Sequence, residues 1–314
     1  MSAEPVIDVD NLRVAYGALE AVRGVSLRVG AGTVFGLVGP NGAGKTSTLK
    51  VLAGLLRPSG GAARVCGFDV LAERDDVRRS IGYMADFFGV YDYLTVREYL
   101  AFFGGMYGLR GADLAGKVEA AIASVALAGK RDALIHTLSR GMKQRLYLAR
   151  AWVHRPRVLI LDEPASGMDP RGRNEMVDAL RRTAADGVTV LISSHILDEL
   201  EHVCSMVGVM EAGRLVGVHE MRPEEAHGAG ARRLLLLSPR ADRDRALALA
   251  PTLPGVRGAG PAEDGLWLDV SGGDDAVAEV VRRMVEHDVR VLLPAAGGAR
   301  LKQVFLHMTK GELT

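Results

Sequence analysis

Cysteine is nearly absent from this chain, and its scarcity excludes several classes of protein. The two thiols, Cys66 and Cys204, lie far apart and form neither a metal-binding nor a redox spacing, so both read as buried free thiols of a reducing compartment. An excess of charge is missing as well. The 39 Lys and Arg against 38 Asp and Glu leave +1, which argues against bulk electrostatic attachment to nucleic acid or anionic lipid and leaves only a local patch open. No run approaches the ~20 apolar residues that span a bilayer. Residues 1–8 lack the basic-then-apolar pattern of a signal peptide. These absences predict a chain that works in the cytoplasm, with any membrane part contributed by a partner. At 314 residues it is too long for one ordinary domain and reads as two, with ample core.

What is present is organised around Gly39-Pro40-Asn41-Gly42-Ala43-Gly44-Lys45-Thr46-Ser47, which fills the phosphate-binding pattern G-x-x-x-x-G-K-[ST]. The apolar run 33–38 before it reads as a buried strand, and 48–56 after it has helical spacing that stops before Pro58. Glycines let successive backbone N–H groups turn toward phosphate oxygens, and a helix N-terminus adds partial positive charge. In such a loop Lys45 reaches the β- and γ-phosphates and the Thr46 hydroxyl sits on Mg²⁺. A glycine-rich turn that merely joins a strand to a helix is the alternative. The closing Lys-Thr and the strand–loop–helix context favour a nucleoside triphosphate site.

Around this loop, residues 6–29 alternate as antiparallel strands do. Tyr16, on a turn between them, taken alone reads as an ordinary half-buried strand tyrosine; its position ahead of the loop raises the alternative of stacking on a purine. A strand is expected at 63–67 and another at 81–86, ending in the polar Asp86. From 95 to 129 the pattern turns helical, with Val96, Tyr99, Leu100 and Phe103 on one face and Val118, Ile122 and Val125 on another. Residues 87–131 therefore read as a helical insertion. Ser139 is a candidate N-cap for a helix running to about His154, whose free N–H groups and hydroxyl are those that bind a phosphate, although capped helices commonly bind nothing.

The run Val158-Leu159-Ile160-Leu161-Asp162-Glu163 places four large aliphatics before two carboxylates, the pattern of a central parallel strand buried on both faces. Ligands of open parallel sheets lie beyond the carboxyl ends of the strands, so both acids are expected to face the glycine loop. Asp162 can hold Mg²⁺ through water and Glu163 can polarise the water that attacks the γ-phosphate; a capping Asp followed by a solvent-facing Glu is the alternative. Residues 188–195 repeat the design, and His195 at that strand end can hydrogen-bond the γ-phosphate or be structural.

Together these segments resemble the ATP-binding subunit of an ABC transporter over roughly residues 5–220, and more narrowly the ABC-2-type and multidrug exporter ATPases. Residues 39–47 match the family's Walker A loop and 158–163 its Walker B strand with the catalytic glutamate. Leu138-Ser139-Arg140-Gly141-Met142 stands where the family has its signature Leu-Ser-Gly-Gly-Gln, keeping the phosphate-contacting Ser139 and Gly141. Ser166-Gly167-Met168-Asp169 resembles the D-loop, His195 the switch histidine, Tyr16 the adenine-stacking aromatic. The resemblance implies the α/β P-loop NTPase fold of ABC ATPases, with an antiparallel β subdomain and a helical subdomain. It also implies ATP and Mg²⁺ as ligands, a homodimer in which each ATP lies between one P-loop and the partner's signature, and a separately encoded transmembrane permease. That places the chain on the inner face of the cell membrane. Asp86 takes the Q-loop glutamine's place, where a carboxylate can still bind Mg²⁺ but adds like-charge repulsion near the γ-phosphate.

From about residue 225 the character shifts through a linker-like stretch to a strand (232–237), a helix (241–250), a strand near 266–270, a helix (274–287), a strand (289–293) and an amphipathic helix (301–308). This is compatible with a small α+β domain, dividing the chain into a nucleotide-binding domain, 1–224, and an accessory domain, 225–314. The tail 301–306 resembles that of exporter ATPases; a dimerising or regulatory role and passive stabilisation stand as alternatives. The competing function is a soluble ABC ATPase acting on ribosomes or DNA, against which stand the single cassette and the lack of coiled coil, zinc cysteines or basic stretch.

Overall fold

The computed structural model describes residues 4–86, 89, 91–195, 200, 203–221, 231–237, 240–262, 265–271 and 274–290. The chain divides into two compact units, the first ending at Met221 and the second beginning at Arg222.

In the first unit an antiparallel sheet is built from β1 (Ile7–Tyr16), β2 (Leu19–Val29), β4 (Gly60–Val65) and β5 (Phe68–Asp69) in the order β2-β1-β4-β5. Beside it lies a mixed sheet of β3 (Val34–Val38), β6 (Ile81–Met84), β7 (Val158–Asp162), β8 (Thr189–Ser194), β9 (Met206–Glu211) and β10 (Arg214–Glu220). Its order is β10-β9-β3-β8-β7-β6, parallel except at the β9–β10 hairpin. The strands β3, β7 and β8 are buried along their whole length, and alternate residues serve two cores. Phe35, Leu37, Val158, Ile160 and Leu191 face the antiparallel sheet and the P-loop helix α1 (Lys45–Leu52). Val38, Leu159, Leu161, Val190 and Ile192 face the helical side. This two-sided burial is why these strands are apolar on both faces through their middles.

On the helical side, α3 (Val96–Met106) and α4 (Gly111–Ser124) pack on α5 (Arg140–Trp152), followed by α6 (Pro170–Ala185). Thr95 and Glu98 close a capping box at the start of α3. A further helix, α2 (Arg74–Ser80), precedes β6.

Just past α5, His154 stacks on Tyr107 with ring centroids 3.6 Å apart and donates from Nε2 to the Ile81 carbonyl at 2.9 Å. Its Nδ1 is buried without a partner. Burial pushes its pKa from 6.5 down to about 4. The folded state thus binds fewer protons than the unfolded one between these values, so this contribution is complete above pH 6.5 and is lost as the pH falls toward 4. The loss is on the order of 3 kcal/mol. Urea melts from pH 7.5 to 4.5 should show this slope in the wild type and a shallower one in His154→Phe, which keeps the stack but cannot be protonated; equal slopes would refute the assignment.

The second unit has β11 (Ala231–Leu237), α7 (Arg240–Leu249), β12 (Val256–Ala262), β13 (Gly265–Ser271) and α8 (Asp274–Glu286). Its antiparallel sheet has the order β11-β13-β12 among the described residues. Leu266, Leu268 and Val270 meet Ala246, Val280 and Met284 in a separate core. The sequence pattern does not predict β12, and Val289 and Arg290, expected to begin a strand, are not in one. The rest of the expected strand 289–293, the linker 226–230 and the helix 301–308 lie outside the described residues.

Candidate functional site

Beyond the carboxyl ends of β3, β7 and β8 lies a cleft of about 400 Å³ lined by Tyr16, Leu19, Ala21, residues 41–47, Asp86, Glu163, Ser166 and His195. The P-loop can make this turn because Gly44, the residue before α1, has φ of +96°, and a Cβ there would lie 2.5 Å from the Ala21 carbonyl oxygen. Gly39 and Pro40 stand behind the loop and turn their carbonyls onto Lys45, whose Nζ donates to them at 2.7 and 3.2 Å. The third direction from Nζ leads to Glu163 Oε1 at 3.6 Å. Burial lowers the Lys45 pKa, an effect opposed by the negative charges of Glu163 and Asp162. The buried ammonium therefore sits in the loop on borrowed acceptors, which phosphate oxygens can replace.

The acid that ends β7, Asp162, and the one after it, Glu163, are each held differently. Asp162 is 1 % exposed; its Oδ1 accepts from Thr46 Oγ1 at 3.1 Å and Ser193 Oγ at 2.6 Å. The Glu163 N–H donates to the Ser193 hydroxyl and carbonyl oxygens, at 3.0 and 3.2 Å. Glu163 has φ of +48°, a left-handed conformation that costs a non-glycine residue roughly 1–2 kcal/mol. The turn aims its carboxylate back over the P-loop, where Oε2 accepts from His195 Nδ1 at 2.7 Å and the His195 backbone N–H at 3.4 Å. With Nδ1–H given to Glu163, Nε2 can donate to a phosphate oxygen only when the ring carries both protons. At the other end of the cleft Tyr16 is 48 % exposed, its ring open to a planar partner while its hydroxyl bonds Ser47 Oγ at 3.2 Å. Asp86 follows β6 and lines the same cleft.

Mg²⁺ prefers a few hard oxygen ligands and takes the rest of its shell from substrate phosphates and water. The Thr46 hydroxyl and Asp162 carboxylate, already in contact, are such a pair. No group of three or more His, Cys, Asp or Glu side chains suited to a metal is gathered among the described residues.

Ser139, Gly141 and Asp169 are not in this cleft. They line a second concavity of about 560 Å³ together with Met142, Arg145, Gly167 and Met168. Ser139 caps α5 by accepting the Met142 N–H at 3.3 Å, and Asp169 caps α6 through the Gly172 N–H at 3.1 Å. The candidate residues thus fall into two separate groups on one unit. A further concavity of about 300 Å³, with Trp152, Arg155 and Asp186 in its wall, contains none of them.

The family model described as ABC transporter matches residues 22–166. The daunorubicin/doxorubicin resistance ATP-binding protein of Streptomyces peucetius is 35% identical over 98% of this chain and 94% of its own length. The Nod factor export ATP-binding protein I of Ralstonia nicotianae is 31% identical over 100% of this chain and 96% of its own. The chain belongs to the ATP-binding subunits of ABC transporters. Among solved structures, an ATP-binding subunit of an ABC transporter superposes with a TM-score of 0.62 at 28% identity, covering 68% of this chain and 90% of the other. The cbiO1 subunit of an ABC transporter complex of Clostridium perfringens gives 0.63 at 27%, covering 72% and 92%. This cassette is an ATP-hydrolysing enzyme, and cassettes of its family dimerise and work with transmembrane partners. Among its described residues no helix is long and apolar enough to cross a membrane.

Ser193 is the functional residue that motif reading missed. It fixes both acids at once, yet its only signal in the sequence is a pair of serines closing a buried strand.

Proposed function

We propose that this cassette powers export through a separately encoded permease. The observation that carries the proposal is the 35% identity to a drug-resistance ATP-binding protein across 98% of the chain, because the likeness extends through the C-terminal piece. Names that speak of resistance or export recur among the relatives, and cargo choice rests with the permease. Residues 1–224 serve as the nucleotide-binding domain, with 87–131 as its helical subdomain, and 225–314 as an accessory domain. The chain works as a homodimer at the cytoplasmic face of the membrane and uses no nucleic acid.

In the proposed cycle Tyr16 stacks on adenine and its bond to Ser47 fixes the ring's tilt. The backbone from Asn41 through Ser47 wraps the phosphates, Gly39 and Pro40 bracing the loop from behind, and Lys45 exchanges its carbonyl acceptors for β- and γ-phosphate oxygens. Thr46 and Asp162 hold Mg²⁺, with Asp86 as a further oxygen; the ion, when bound, neutralises charge between the phosphates. Glu163 takes a proton from the attacking water, while His195 orients that carboxylate from Nδ1 and meets the γ-phosphate from Nε2. Ser139, Gly141 and Asp169 of a second copy close the site. Closure and reopening drive the permease between its two states.

Everted vesicles containing this chain and its permease should accumulate daunorubicin when ATP is added, and vesicles carrying Glu163→Gln should not. ATP-driven accumulation that ignores the substitution would assign transport to another ATPase.

Asp86 is proposed as the coupling residue. In Asp86→Ala, transport per ATP hydrolysed should fall about tenfold, within the usual range of coupling free energies, in a side-by-side assay of phosphate release and uptake. No change in either rate would remove Asp86 from the mechanism.

A further inference from the structure

We infer that Arg140 is a positioning residue that straps the signature surface to the turn leaving the chain's own nucleotide cleft, so that the two half-sites move together. This rests on the two-copy arrangement proposed above.

An arginine stands here where the family signature has glycine, in the first turn of α5. Its guanidinium lies over Gly167, where any Cβ would collide with it and where φ is +67°. The same guanidinium reaches the Ser166 carbonyl at 3.5 Å, the long end of hydrogen-bonding range, while Gln144 donates from Nε2 to that oxygen at 2.9 Å. The i, i+4 spacing puts both donors on one helix face, so one carbonyl is gripped by two side chains of the signature helix. Gln144 is 2 % exposed and its Oε1 is already buried without a partner, so swinging away would leave the Nε2 donor unpaired as well.

Ser166 is also the hinge between the sites. Its N–H donates to the Glu163 carbonyl at 3.0 Å, and the residue lines the P-loop cleft. The three residues after it, Gly167 to Asp169, line the signature concavity instead. Only this short turn separates the carboxylate assigned to hydrolysis from the surface offered to a second copy. A glycine at 140 would leave Gln144 as the single anchor and Gly167 uncovered, free to rotate. Arginine suits the task because its planar fork can cover Gly167 and donate at once, which a lysine ammonium cannot.

The test is the ATP dependence of hydrolysis by the full chain, its Arg140→Gly and its Arg140→Lys variants, with the Kd for a fluorescent ATP analogue and the Tm measured in parallel. The wild type should be cooperative, with a Hill coefficient approaching about 2 for two coupled sites. Arg140→Gly should fall to about 1, the value for independent sites, with the analogue's Kd unchanged. Arg140→Lys should lie between, since its ammonium reaches Ser166 without covering Gly167. Wild-type cooperativity in the glycine variant, or a non-cooperative wild type that hydrolyses ATP, overturns the inference. If the glycine variant does not fold, the lysine variant decides: a wild-type Hill coefficient there overturns it equally. A wild type that binds no nucleotide would instead remove the cassette reading beneath it.

Discussion

Replacing Glu163 with Gln should lower ATP turnover by about 10²- to 10⁴-fold, the span of a lost general base, without weakening ATP binding. The substitution is nearly isosteric. Its side-chain oxygen can still accept from His195 Nδ1, which bonds Oε2 at 2.7 Å in the wild type, and the turn after β7 stays anchored because the Glu163 N–H bonds to Ser193 are backbone contacts. What disappears is the negative charge that takes up a proton from water. Phosphate release should become almost undetectable, while size exclusion with ATP should show a stable dimer that the hydrolysing wild type does not accumulate. A variant retaining more than about a tenth of wild-type turnover would not fit a lost general base and would move that role to Asp86 or His195.

The parts of this site that were legible in the sequence are those where one physical demand dictates residue type over several positions. A strand buried on both faces carries a run of aliphatic residues, which exposed β7 and the middle of β8, and a backbone that curls around phosphate is glycine-rich, which exposed the P-loop. The parts that were not legible depend on contacts between distant segments. Nothing in the local sequence at Glu163 announces a left-handed backbone, because the turn is imposed by Ser193, thirty residues later. The strand β12, Val-Arg-Gly-Ala-Gly-Pro-Ala, reads as a turn by composition. It becomes a strand through its register with β13, where the Trp267 ring occupies the space above Gly260. Helix α6 does carry a helical period, burying Met176, Val177, Ala179, Leu180 and Thr183 on one face, but it holds no motif that draws the eye. In the β9–β10 hairpin only β10 alternates, while β9 is a continuous buried run before Ala212-Gly213, a weaker signal than the motifs around it. The arrangement of the site into two halves was accessible only through the family resemblance, since no spacing in the chain shows that Ser139 and Lys45 serve different nucleotides.

Lys45→Met should separate nucleotide binding from folding. The lysine is 6 % exposed, and burial already holds its pKa below the ordinary value, so the apo protein bears a desolvation cost for its ammonium. Methionine is unbranched, apolar and similar in length, and it removes that cost. Against this, the Gly39 and Pro40 carbonyls lose their donor, and an unsatisfied buried acceptor costs roughly 1–3 kcal/mol. These terms oppose each other, so the apo Tm should stay within about 5 °C of wild type, a shift of roughly 1–2 kcal/mol. ATP binding has no such compensation, because the ammonium is the one side-chain cation inside the P-loop and its contacts with phosphate are charge-assisted. At ATP concentrations about 100 times the wild-type Kd, the ligand stabilises the wild type by roughly 2.7 kcal/mol, and that increment should vanish in Lys45→Met. Thermal melts with and without Mg-ATP read both quantities together. A variant that keeps its ATP-linked shift would show that the backbone cradle alone holds the phosphates, and one that unfolds without ATP would make Lys45 a structural residue of the loop, tied through its carbonyl bonds and Glu163 rather than held ready for a ligand.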